Sequence, residues 1–192
     1  MGVVKVPNLL LHDALKFCLE FDNYNWDDEN EFDFSAVRNC DPFPMLVVAQ
    51  KIREQRILHK SAKCSGKNTN NDYANHMRFY RFVGMDKGQP MDLNYGNQNY
   101  QPISDLCLAD LIKESRDKSV PVGEIITNTS RKLAGVISQG DNKMKETMTF
   151  CLREIIRNIP EHSWSSNGWY CAQYWPSYDL VELAIIDDGR GI

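Results

Sequence analysis

The hydrophobic positions change period several times along the chain, and each change marks an element. Val3, Val4 and Val6 form a short β-branched run closed by Pro7, which predicts a first strand. Leu9, Leu10, Ala14, Leu15, Phe17 and Cys18 then recur at helical spacing as far as Phe21, with Asn8 as the candidate cap. Residues 22–30 are polar and read as a loop. Residues 31–37 alternate, with Phe32, Phe34 and Ala36 on one face, and predict a second strand. Two prolines, Pro42 and Pro44, predict a turn over 39–44. From Met45 the helical period returns: Leu46, Val47, Ala49, Ile52 and Ile57 point inward, and Lys51, Arg53, Glu54 and Arg56 point to water. A weak strand is expected over 62–65. Asn71 then caps a third helix over 72–83, and Gly84 stands at its C-cap position.

Gly88, Gln89 and Pro90, followed by Gly96, Asn97, Gln98 and Asn99, break both periodicities. The boundary is expected near 97, giving domains 1–97 and 98–192. The second half opens with a strand over 100–104. Pro102 cannot donate to a ladder, which places that strand at an edge. A short helix follows over 105–115. Pro121 suits the first position of the next helix, whose buried stripe is Ile125, Ile126, Leu133, Val136 and Ile137, and Gly140 ends it. Asp141 and Asn142 cap a long helix with an expected core stripe of Met148, Leu152, Ile155 and Ile159. Residues 168–175 and 180–186 read as a hairpin. Strands alternating with helices imply an α/β sandwich in each half, an α+β arrangement of helices packed on a sheet.

Composition narrows the classes. In 192 residues, 42% are hydrophobic and 25% charged, which is ordinary for a packed globular chain. The formal net charge of −4 argues against a phosphate-backbone binder, so no nucleic-acid partner is expected. The densest charge run, Asp27, Asp28 and Glu29, reads as a solvated loop. Six cysteines lie at 18, 40, 64, 107, 151 and 171 without metal-ligand spacing, and are expected to be reduced. No signal-peptide h-region or membrane-length apolar run is visible, so no membrane partner and a cytoplasmic location are expected.

Two constellations carry chemistry. Glu154 and Asn158 are four apart on the long helix, so their side chains share a face. An amide oxygen from Asn158 suits Mg²⁺ shared with phosphate oxygens. The Glu154 carboxylate suits a general base that orients or deprotonates a water for attack on a γ-phosphate. The bland alternative is a solvated helix face, with Arg157 paired to Glu161 four residues on. The second constellation is Asp187-Asp188-Gly189-Arg190-Gly191-Ile192, directly after the apolar run Leu183-Ala184-Ile185-Ile186. Glycines at 189 and 191 let backbone approach a ligand, and a strand-end aspartate accepts from an exocyclic amine. Asp-Gly also marks ordinary turns.

Together these stretches resemble the N box and the first glycine box of the GHKL ATPases, the superfamily of gyrase-type topoisomerases, heat-shock chaperones, histidine kinases, MutL proteins and anti-sigma kinases. The resemblance covers about residues 100–192. It implies a Bergerat-type ATP-binding sandwich with ATP and Mg²⁺ as ligands. Asp187 would hold the adenine amino group, Gly189 and Gly191 would lie against the nucleotide, Asn158 would be the metal ligand, and Glu154 would be the catalytic carboxylate. Asn158-Ile159-Pro160-Glu161-His162-Ser163 is also similar to the N-A-x-E-H segment of anti-sigma and histidine kinases. His162, at a helix end, reads as a dipole partner rather than a phospho-acceptor. Pro160 departs from that segment and is expected to kink or stop the helix just past Asn158. The lid and second glycine box that the superfamily adds do not follow Ile192, so the sequence reads as a fragment. On its own it is expected to bind ATP poorly and to leave the strand ending at Ile186 without a neighbour.

The first half resembles STAS-like domains, on Phe32-Asp33-Phe34-Ser35-Ala36-Val37 followed by Asp41-Pro42-Phe43-Pro44-Met45-Leu46. Anti-sigma-factor antagonists of that fold carry an Asp-Ser pair there. Pro42 follows Asp41 here, so the phospho-acceptor is absent. The pairing implies a partner-switching regulatory module that uses Mg-ATP and an unidentified protein partner. The alternative is a non-enzymatic docking module that keeps the fold. A third reading is an ATP-hydrolysing conformational machine. Whether ATP is hydrolysed, transferred or only bound stays open at this point.

Overall fold

The computed structural model describes residues 1–87, 96–162 and 167–189. Its chain is mixed α/β, with seven α-helices and two three-stranded sheets among the described residues. It divides into two compact units, Met1–Asp92 and Leu93–Ile192. Gly88 and Pro90 of the expected boundary stretch lie outside the described residues.

In the first unit, β1 (Gly2–Lys5), β2 (Glu29–Asp33) and β3 (Lys63–Lys67) pair in that order, all parallel. Parallel neighbours need crossovers, supplied by α1 (Leu11–Phe21) and α2 (Pro42–Leu58), which pack on one another. Phe32, Phe34, Met45, Leu46 and Ile52 are fully buried among them. Several local readings are corrected. Asn8 caps no helix: its Oδ1 accepts from the Arg38 and Asn39 backbone N–H groups at 3.1 and 2.7 Å, tying the loop after β1 to the loop after β2. Pro42 and Pro44 begin α2 rather than a turn, because the first helical turn has no intrahelical N–H bonds to lose. The expected third helix is two short ones, α3 (Asp72–His76) and α4 (Phe79–Phe82), separated where Arg78 takes a left-handed φ of 65°. Asn71 does cap α3, accepting from Ala74 N at 2.9 Å.

In the second unit, β4 (Tyr100–Cys107), β5 (Asn167–Trp175) and β6 (Leu180–Asp187) form an antiparallel sheet with β5 in the centre. Pro102 stands on edge strand β4, inside a register shift between Gln101 and Ser104, where no ladder donor is required. The helices α5 (Leu108–Lys118), α6 (Val122–Ser138) and α7 (Asn142–His162) supply the other layer. Gln139 and Gly140 adopt positive φ of 45° and 97° and end α6, the second being a conformation that glycine takes without strain. Asp141 caps α7, its Oδ1 accepting from Met144 N at 3.0 Å.

Leu111, Ile126, Leu133, Leu152, Ile156 and Tyr170 belong to one buried cluster joining the helices to the sheet. The stripe of α7 is therefore Leu152, Ile156 and Ile159; Ile155 is 48% exposed. The helix also continues through Pro160 to His162 instead of stopping after Asn158. Strand β6 pairs along its whole length with β5, and its other edge carries no strand among the described residues.

Candidate functional site

The long helix and the β5–β6 hairpin meet at one end of the second unit. Along the hairpin, Tyr170 pairs with Ile185 and Ala172 with Leu183. All four lie in or against the helix-facing core. Two residues further along, Gly168 pairs with Asp187. Side chains of a strand alternate, so Asp187 falls on the same, helix-facing side at the strand's last residue. Ile159 of α7 sits directly over that point. A Cβ built on Gly168 would lie 2.9 Å from Ile159 Cδ1 and 3.2 Å from the Ile186 carbonyl oxygen. Asn158 is the chain neighbour of Ile159, and Asp187 is the strand partner of Gly168, so both residues flank this one helix–sheet contact.

Asp187 is exposed there, and its Oδ1 accepts from the Gly189 backbone N–H at 2.8 Å. That bond turns the chain at the start of the glycine box. Asp188 continues the tie to β5, accepting from Asn167 Nδ2 at 3.2 Å. Gly191 lies outside the described residues, as do the side chains of residues 160–162, so the readings of Gly191, His162 and Glu161 fall outside this description.

Asn158 is exposed on α7. Glu154, one turn earlier, is half-buried, and two arginines hold its carboxylate. Arg153 donates through Nη2 and Nε to Oε1 at 2.9 and 3.2 Å, and Arg157 Nη1 lies 3.7 Å from Oε2. Arg157 thus also faces Glu154, and its expected pairing with Glu161 lies outside the described side chains. A neutral oxygen on an exposed helix face suits Mg²⁺, which keeps several waters and takes its other ligands from phosphate. No group of three His, Cys, Asp or Glu is placed to hold a metal among the described residues.

Three residues of this region carry no signal of their role in the sequence. Gly168 has no motif of its own, and only the contact with Ile159 shows why a side chain is excluded there. Arg153 and Arg157 were visible as charges, but their shared engagement with Glu154 depends on rotamers that spacing does not specify. Family models, curated proteins and solved structures were all compared with the chain, and none matches.

Proposed function

We propose that the second unit is an ATP-binding module of the GHKL type that works with Mg²⁺, joined to a STAS-like first unit in a regulatory, partner-switching protein. The observation that supports this reading is the Ile159–Gly168 contact, which sets the residue after Asn158 on the strand partner of Asp187. Two short motifs, each weak alone and 29 positions apart in the chain, thus flank one helix–sheet contact.

Adenine would bind at Asp187, whose carboxylate accepts from the exocyclic amine. Gly189 and Gly191 would let backbone run close to the nucleotide. Asn158 would supply an amide oxygen to the metal, and Mg²⁺ would neutralise phosphate charge when bound. Glu154 would hold the attacking water once the arginines release its carboxylate. Turnover is the less supported half of the reading, because the carboxylate is held by two guanidinium groups in this state.

The test separates the roles in the intact protein. Asn158→Ala should abolish Mg²⁺-dependent ATP binding measured by calorimetry. Glu154→Ala should leave binding within about threefold, since it touches water rather than nucleotide, and should remove phosphate release or transfer. Normal turnover in Glu154→Ala would remove Glu154 from the mechanism and leave a binding module.

A further inference from the structure

A concavity lies along the Arg153 and Arg157 face of α7. It is an open groove of about 620 Å³ between the start of α6 and the middle of α7. Arg131, Arg153 and Arg157 line it, together with Glu124, Thr127 and Asn128. Three guanidinium groups stand against Glu124 in the lining and Glu154 beside it, which leaves the formal balance of these groups cationic. The helix geometry explains how it arises. Arg153 and Arg157 are four apart and share one face of α7, while Glu154 and Asn158 stand one residue on, about 100° further round. Arg131, three turns into α6, is held toward the groove by donating through Nη1 to Asn128 Oδ1 at 2.8 Å. At the near end no side chain caps α6, and a Cβ on Gly123 would meet nothing within 4 Å.

We propose that this groove binds a phosphate dianion, and that the anion competes with Glu154 for Arg153 and Arg157. Guanidinium groups bind phosphate in the same two-pronged way as carboxylate, and a dianion is the stronger partner. The two arginines that line the groove are the same two that hold the Glu154 carboxylate. An oxyanion placed between them and Arg131 draws both away from Glu154 and leaves that carboxylate open to water. The groove thereby becomes a control site for Glu154: empty, the arginines cover the carboxylate; filled, they leave it. Binding itself stands on the groove alone, whereas its consequence for turnover rests on the ATP-module reading above.

The experiment follows the arginine Nε–H signals by NMR in the intact protein, titrated with inorganic phosphate without nucleotide or Mg²⁺. The expected result is saturable shifts at Arg131, Arg153 and Arg157. Arg131→Gln, an exposed position outside the core, should weaken binding about tenfold, the loss of a charge-assisted contact. Glu154→Gln should tighten it about threefold by removing the competitor. Asp187→Asn should leave it unchanged, so failure of the nucleotide reading and failure of this one are told apart. A parallel titration with O-phosphoserine separates the sources: equal affinity assigns the free ion, and tighter binding assigns a phosphate monoester. Shifts that never saturate, or an affinity indifferent to both Arg131→Gln and Glu154→Gln, would overturn the proposal.

Discussion

At the scale of single residues, Gly168 sets how closely α7 packs on the hairpin. Its missing side chain lets Ile159 rest on the backbone of the hairpin, one strand from Asp187. Gly168→Ala should destabilise the second unit by about 1–3 kcal/mol, the usual cost of forcing extra volume into a packed contact. Chemical denaturation checks this, and a loss below about 0.5 kcal/mol would mean that Ile159 moves aside freely. The cysteines give a second residue-level prediction. Burial pushes the Cys40 thiol up to about 12 and the Cys18 thiol to about 11, and it raises Cys171 still further. Cys151 is exposed on α7. A thiol reagent at neutral pH should label Cys151 first and reach Cys40 and Cys171 only after unfolding, because the thiolate is the reactive form. Mass spectrometry of the labelled peptides reads the order. Asp187 and Asn158 stand out in the sequence because each lies in a short pattern with a chemical rationale. The arginine grip on Glu154 does not, since long side chains choose among several partners of equal sequence spacing.

At the scale of elements, α7 shows what periodicity can and cannot settle. Met148, Leu152, Ile155 and Ile159 fit a helical repeat, and so do Met148, Leu152, Ile156 and Ile159. Two adjacent isoleucines leave the choice to the sheet, and the sheet selects Ile156, 1% exposed against 48% for Ile155. Ile156→Ala should therefore cost about 2–5 kcal/mol, whereas Ile155→Ala should stay within about 0.5 kcal/mol. Comparable losses in thermal unfolding would contradict this packing. The caps at Asn71 and Asp141, the stop at Gly140 and the edge position of Pro102 were readable because each fixes a local backbone geometry. The break at Arg78 was not. Its neighbours Tyr73, Met77 and Tyr80 keep helical spacing, and a left-handed backbone at an arginine leaves no trace in the pattern. The two prolines misled in the opposite direction, since a helix start and a turn use proline alike.

At the scale of the whole molecule, the division into two units was legible from the Gly, Pro and Asn punctuation between two periodic halves. Strand pairing was not, because a parallel order such as β1-β2-β3 is settled by long-range packing rather than by any single segment. No helix among the described residues is long and apolar enough to cross a membrane. Both candidate sites belong to the second unit. Asp187 and Asn158 flank the Ile159–Gly168 contact, the groove is lined by the arginines, and Glu154 lies beside Arg153 on α7. Under the proposal above, an anion in the groove would control the freedom of Glu154.

The central claim is that Asp187 and Asn158 form one nucleotide site, and calorimetry of Mg-ATP binding to the intact protein with and without Asp187→Asn tests it most directly. The amide presents a donor where the adenine amine needs an acceptor, so the variant should lose about 1.5–3 kcal/mol of binding free energy, tenfold or more in affinity. Phosphate binding at the arginine groove should be untouched in the same sample. An Asp187→Asn protein that binds Mg-ATP as tightly as the unaltered chain would contradict the assignment.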